Sequence, residues 1–151
     1  MVGDMIRAMT MEDCQPVAEM GAKFHDQAGW SDIMDYRVDD CVASLQQFMA
    51  AGVFAGFVSD NGGIDGMIGG VFSPVYFNRS HLSCEELFWY VDDAPQSAGL
   101  KLLRTMEETL REMGASSIQM KTLSKLNDER MPAMMARMGY RASERSWIKR
   151  L

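Results

Sequence analysis

Glu85-Glu86-Leu87-Phe88-Trp89-Tyr90-Val91 runs straight into Asp92-Asp93-Ala94-Pro95-Gln96-Ser97-Ala98-Gly99 and then Leu100-Lys101-Leu102-Leu103. The first seven residues are dense in aromatic and β-favouring side chains and read as the strongest strand of the chain. From a start near Ser97 the periodicity changes. Leu102, Leu103, Met106, Leu110 and Met113 recur at spacings of three and four, while Lys101, Arg104, Glu107, Glu108 and Arg111 take the opposite face. That is an amphipathic helix, and Gly114 is a good residue to end it. A strand, a short loop and a helix N-terminus in this order put unpaired N–H groups and a partial positive charge at the strand's end. Ala98 and Gly99 carry little or no side chain, so an anion such as a phosphate can approach that backbone, and Ser97 can cap the helix or touch the anion itself. An ordinary capped helix accounts for the same residues. No G-x-x-x-x-G-K-[ST] run is present, so a nucleotide P-loop is unsupported.

Upstream, Met5 to Met9 reads as an opening strand. Thr10 and Asp13 stand in capping-box spacing ahead of a helix carrying Cys14, Val17, Ala18, Gly21 and Phe24 on one face, with Pro16 tolerated in its first turn. His25 to Asp35 reads as loop, and Val38 to Met49 as a second helix. Val53 to Val58 and Ile64 to Phe72 form a hairpin through Asp60-Asn61-Gly62-Gly63. Gly63, Gly66, Gly69 and Gly70 in the returning strand point to a bulge or to something packed close on backbone. Asn78 to Ser83 reads as loop. Downstream, Ser117 to Leu123 is a strand, Asp128 to Met138 a helix with Asn127 or Asp128 as its cap, and Tyr140 to Leu151 a closing strand. The order is β-α-α-β-β-β-α-β-α-β, an α/β (α+β) domain with a mixed, largely antiparallel sheet flanked by helices, distinct from a doubly wound sheet.

The 151 residues carry no linker-like stretch or internal repeat and suit one domain spanning residues 1–151. A net charge of −6 disfavours nucleic acid as the main partner, since phosphate-backbone binding needs a basic footprint, but it suits a cationic amine. No apolar run is long enough to span a bilayer, so no membrane is expected. Three widely spaced cysteines (Cys14, Cys41, Cys84) form neither a CxxC pair nor a zinc spacing, which predicts a cytoplasmic setting and no metal. The fifteen methionines read as core filler.

The whole pattern resembles the GNAT superfamily of N-acetyltransferases, over nearly the full chain. Ile6-Arg7, Thr10, Asp13, Val17 and Met20 resemble the family's first strand and helix. Glu86 to Asp92 resembles its fourth strand, and Gly99-Leu100-Lys101-Leu102-Leu103 the start of its coenzyme-binding helix. Met138-Gly139-Tyr140, Glu144, Trp147, Lys149 and Leu151 resemble its closing helix-to-strand signature. Gly70, Ser73-Pro74 and Glu86-Leu87-Phe88-Trp89 are similar to small phage and bacterial members.

The resemblance implies an acetyl-CoA-dependent N-acyltransferase acting on an amine, whether small molecule or protein, with a V-shaped opening between the fourth and fifth strands. It implies pantetheine along Trp89, Tyr90 and Val91, and pyrophosphate against Gln96, Ser97, Ala98, Gly99 and Leu100. It implies a carboxylate base on the fourth strand, Glu86 first and Glu85 second. Strand alternation puts the two on opposite faces, so at most one meets the acyl carbonyl. A role in solvent or an ion pair is the plainer account of both. The acceptor pocket would be built from His25 to Arg37 and Val75 to Ser83, and a sheet edge or the closing strand offers a homodimer a route to pair.

Two departures favour an alternative, a catalytically degenerate GNAT-fold protein, phage-encoded in flavour, that acts through a protein partner. The pyrophosphate loop is about two residues shorter than the family's Arg/Gln-x-x-Gly-x-Gly/Ala run and lacks its arginine. Met135 stands where many members place a tyrosine acid, leaving Tyr90 and Tyr140 as substitutes. His25 and His81 read as loop histidines, and Cys84 as a small buried residue.

Overall fold

A computed structural model describes residues 5–92, 96–121 and 130–151. In chain order the elements are β1 (Ile6–Ala8), a 3-10 turn (Met11–Asp13), α1 (Cys14–Ala28), α2 (Val38–Ala50), β2 (Phe54–Asp60), β3 (Ile64–Val75), β4 (Asn78–Val91), α3 (Gln96–Glu112), β5 (Ser117–Gln119) and α4 (Arg130–Arg137). The sheet runs β1-β2-β3-β4-β5, antiparallel throughout except for the parallel β4–β5 pair. The mixed, largely antiparallel sheet expected from the sequence is therefore present.

Its two faces bury different clusters. On one side α1 and α2 pack Cys14, Val17 and Leu45 against Val58 and Met67. On the other, α3 presses Leu102, Leu103, Met106 and Leu110 onto Ala55, Phe57, Ile68 and Cys84. Leu102 and Leu103 are wholly buried, so each contributes roughly 1.5–3 kcal/mol of apolar transfer energy. This is the stripe that the three-and-four spacing marked.

The start of α1 is built as its sequence suggests. Thr10 N–H donates to the Asp13 carboxylate at 2.8 Å, and Pro16 stands in the first turn, where no intrahelical bond is lost. Arg7 donates to both Asp13 oxygens and to Asp60, tying β1 and the end of β2 to the first turn. The glycine-rich strand also has its physical reason. A Cβ on Gly70 would lie 2.7 Å from Cys84 Sγ and 2.7 Å from the Glu85 carbonyl oxygen.

Two assignments are corrected. Asn78 to Ser83 is not loop: it opens β4 and pairs with β3 as far as Val75. The segment is polar because this end of the hairpin lies beyond the helices, not because it lacks a partner. Tyr140 to Leu151 is not a strand. It has no sheet pairing among the described residues, and Trp147 and Ile148 are 87% and 55% exposed. Arg141, Glu144 and Arg145 break its alternation, and β5 is only three residues long, a short template for a sixth strand. The cap expected at Asn127 or Asp128 lies outside the described residues.

Candidate functional site

The β3–β4 ladder slips at one point. Gly70 pairs with Glu86 and Gly69 with Phe88, so Leu87 is an extra residue on β4, a β-bulge. Its effect is visible in the packing. Cys84, Trp89 and Val91 join the α3 cluster, whereas Phe88 and Tyr90 join the α1–α2 cluster. Regular alternation would keep Cys84 and Phe88 on one face; the inserted residue inverts the pattern and adds twist.

Just before this bulge β5 is lost. Its register with β4 is Ser83 to Ser117, Cys84 to Ile118 and Glu85 to Gln119, and no pairing continues from Glu86 to Val91 among the described residues. His81 Nε2 and Ser117 Oγ, 2.8 Å apart, and the Ser117–Ser83 hydroxyl pair at 2.9 Å hold the closed end of this wedge. His81 is thus a brace between strands. At the open end no described residue pairs with β4 on that edge, a natural track for an extended ligand with amides of its own.

A cavity of about 570 Å³ opens from this edge into the space between the sheet and the first two helices. Glu86 to Val91 and Lys121 line it from the sheet side. Phe24 and His25 of α1, Leu45 and Phe48 of α2, and Trp30 and Tyr36 of the intervening loop line it as well, with Phe24 against Tyr90. Of the expected pocket stretch His25 to Arg37, His25, Trp30 and Tyr36 line the cavity, but the loop begins only after Ala28: His25 to Ala28, read as loop from the sequence, completes α1. The stretch Val75 to Ser83 does not contribute: those residues lie at the far tip of the hairpin and none lines the cavity.

The two candidate carboxylates differ sharply. Glu85 is exposed, and Glu86 is 6% exposed. Burial raises Glu86 to about 7, against a smaller opposing pull from Lys121. Cys84 is wholly buried and its thiol is pushed up to about 11 by that burial, which leaves it an inert apolar group.

The tyrosines also separate. Tyr140 Oη donates to Glu107 at 2.7 Å and does not line the cavity. Tyr36 Oη donates to the Ala18 carbonyl at 2.8 Å. Tyr90 lines the cavity and makes only long contacts, to Gln27 at 3.4 Å and Asp92 at 3.5 Å. Met135 packs against the α3 cluster and its thioether has no proton to give.

At the other end of the β4 edge stands α3, which begins at Gln96, one residue before the start expected near Ser97. The N–H groups of its first turn, beginning at Gln96, are those that an α-helix leaves without an intrahelical partner. Ser97 is exposed and Leu100 partly so, while Ala98 and Gly99 are buried. Trp89 Nε1 donates to the Gly99 carbonyl at 2.9 Å, and a Cβ on Gly99 would meet Val91 at 3.5 Å. The small residues therefore bring the helix down onto the strand's end. The glycines of β3 had pointed to a bulge, and the slip falls between Gly69 and Gly70; sequence reasoning did not place its extra residue, Leu87, on β4, nor did it bring Phe24 and Phe48 to the wall that Tyr36 shares. Phe24 and Phe48 were legible only as helical core, because the wall draws its rings from two helices and a loop.

Among the described residues no helix is long and apolar enough to cross a membrane, and no three His, Cys, Asp or Glu side chains cluster as a metal would need. No protein-family model matches the chain, and no curated protein matches it in sequence. Solved structures do match in shape. A GCN5-related N-acetyltransferase from Ralstonia eutropha JMP134 superposes at TM-score 0.75 with 20% identity, over 97% of this chain and 98% of that one. A predicted acetyltransferase from Clostridium acetobutylicum, crystallised with acetyl-CoA, gives 0.74 at 12% identity over 97% and 95%. A transcriptional regulator from Bacillus halodurans C-125 gives 0.72 at 19% over 99% and 100%. One shape thus carries proteins of different description, and chemistry must be argued from the site.

Proposed function

We propose that this chain, which has the fold of the GCN5-related N-acetyltransferases, transfers the acetyl group of acetyl-CoA to an amine. The single observation that carries the reading is the wedge between β4 and β5, with a buried carboxylate at its apex and a helix N-terminus at its mouth.

The residues fit such a cosubstrate. The unpaired β4 edge at Trp89, Tyr90 and Val91 offers donors and acceptors to the pantetheine amides. The first turn of α3, from Gln96 to Leu100, offers N–H groups and the positive end of the helix dipole to the pyrophosphate. Acetyl-CoA supplies an activated thioester carbonyl. Negative charge grows on its oxygen as the new C–N bond forms, and a β4 backbone N–H beside the Leu87 bulge is the donor that stabilises it.

Attack requires a lone pair on the amine. Glu86 takes the ammonium proton; a carboxyl near 7 is matched to that task at neutral pH. The exposed Glu85 is not in the cavity lining, and we assign it no step. The C–S bond then breaks: the departing sulfur takes a proton from Tyr90 Oη or from water, since Met135 has none to offer, and the extra proton on the new amide nitrogen passes to water or back to that donor.

Two measurements test the reading. Calorimetric titration with acetyl-CoA reports binding, and thiol release across an amine panel reports turnover. Glu86→Gln is expected to lower kcat by roughly 100-fold or more with acetyl-CoA affinity unchanged. An absence of heat with any CoA derivative would remove the proposal.

A further inference from the structure

The acceptor half of the cavity has a composition that selects among amines. Between α1, α2 and the loop joining them its wall is apolar and carries several rings: Phe24 packs on Tyr90 of β4 at 5.2 Å between centroids, His25 on Tyr36 at 5.4 Å, and Trp30 and Phe48 stand in the same lining with Val17, Ala28 and Leu45. Among the described lining residues the formal charges are Glu86 and Lys121, one of each sign, and His25 is already engaged with the Met34 carbonyl at 2.9 Å. Ser44 is the lone aliphatic hydroxyl of that lining. The entrance differs. A second, more open cavity of about 490 Å³ shares His25, Tyr36, Cys41 and Ser44 with the first and carries Asp35 and Asp40 with Arg37 between them, a net negative charge.

From this lining we infer that the acceptor is a primary monoamine with an aromatic or bulky apolar body. The inference names the substrate class for the acyl-transfer reading above and rests on it. An ammonium is drawn in by the net negative charge that Asp35 and Asp40 keep against Arg37, is stabilised over the faces of the aromatic rings, and reaches one carboxylate. Its apolar body replaces water along a wall that offers it little else. A polycation is opposed twice: a second ammonium finds no second buried carboxylate among the described residues, and Lys121 repels it. A sugar-based amine is opposed by its hydroxyls, which the ring walls cannot satisfy.

The test uses the full chain. 2-Phenylethylamine and tryptamine are compared with spermidine, kanamycin and a lysine-containing peptide. Thiol release from acetyl-CoA is measured for each, and each amine is titrated calorimetrically into the chain with and without CoA. We expect the arylalkylamines to lead spermidine and kanamycin by roughly 100-fold in kcat/KM. We expect Trp30→Ala, or Trp30→Leu should the alanine variant fail to fold, to raise their KM by about 10-fold with the KM of acetyl-CoA unmoved. Arylalkylamine binding without thiol release would sustain the ligand class and remove the transferase reading. Preference for spermidine, kanamycin or the peptide, or no heat from either arylalkylamine, would overturn the inference, while acyl transfer would stand wherever thiol is released.

Discussion

The indole Nε1 of Trp89 donates a hydrogen bond to the carbonyl oxygen of Gly99, 2.9 Å away, and so fixes the end of β4 to the first turn of α3. That bond sets the span between the unpaired strand edge and the helix N-terminus, the two parts of the proposed coenzyme track. Trp89→Phe keeps an aromatic ring in the α3 cluster and deletes the donor. It is expected to cost about 1 kcal/mol in urea unfolding, the usual size of one such bond. It should also raise the Kd of acetyl-CoA in calorimetry, because the loosened turn must be re-ordered on binding. An unchanged Kd beside reduced stability would show that the span does not matter to the ligand.

Gly70 and Gly99 make opposite predictions under the same substitution. Gly70→Ala would drive a methyl to within 2.7 Å of the Glu85 carbonyl oxygen, a backbone atom of the neighbouring strand. Overpacking of this kind costs roughly 1–3 kcal/mol, and it should lower Tm measurably. Gly99→Ala meets its first neighbour at 3.5 Å, an ordinary contact, and gains up to about 1 kcal/mol of helix propensity. Its Tm should hold or rise. Equal losses at both positions would contradict the packing described here.

Much of this was legible in the residues, and the limits have physical causes. The stripe from Leu102 to Leu110 specified α3 because one buried face leaves a period of 3.6 in the sequence. Glycines 69 and 70 advertised a close approach, and the neighbours of Gly70 are Cys84, Glu85 and Met106. The β3 glycines signalled the bulge, whose slip falls between Gly69 and Gly70, but its extra residue Leu87 was not legible, since an unpaired residue is defined by the partner strand's register and not by its own side chain. Asn78 to Ser83 read as loop because a hairpin that overhangs both helix layers needs no apolar face. Tyr140 to Leu151 read as strand from residue types alone, and no neighbour supplies the ladder. Burial singled out Glu86 over Glu85; alternation had separated their faces without deciding between them.

Arg7 and Asp13 give the fold an acid-sensitive clamp. The Asp13 carboxyl is held down to about 2, chiefly by the Arg7 guanidinium at 2.7 Å and also by Thr10, against the opposing effect of its own burial. A folded-state value below the unfolded 3.8 means stability that is present above 3.8 and lost as pH falls through 2. The shift corresponds to on the order of 2 kcal/mol. Asp13→Asn should therefore lower stability at pH 6 by about that amount and flatten the acid limb of the stability curve below pH 4, with urea midpoints across pH as the readout. An unaltered acid limb would remove Asp13 from this role.

Glu86 works in the opposite direction. Its folded value of about 7 lies above the unfolded 4.5, because burial disfavours the anion more than Lys121 favours it. Below 4.5 both states are protonated and the buried carboxyl costs no ionisation energy. Between 4.5 and 7 the unfolded chain releases a proton that the folded chain retains, and stability declines with rising pH. Above 7 the full cost is present, on the order of 3 kcal/mol for this difference. Glu86→Gln keeps the shape and removes the titration, so it should gain stability over the parent chain at pH 8 and lose most of that advantage near pH 4.5. If it also removes acyl transfer while stabilising the protein, the carboxylate is held there at the expense of the fold. Urea midpoints at pH 4.5, 6 and 8 decide the matter: a pH-independent difference between the two chains would mean that Glu86 titrates in the folded protein as it does in water.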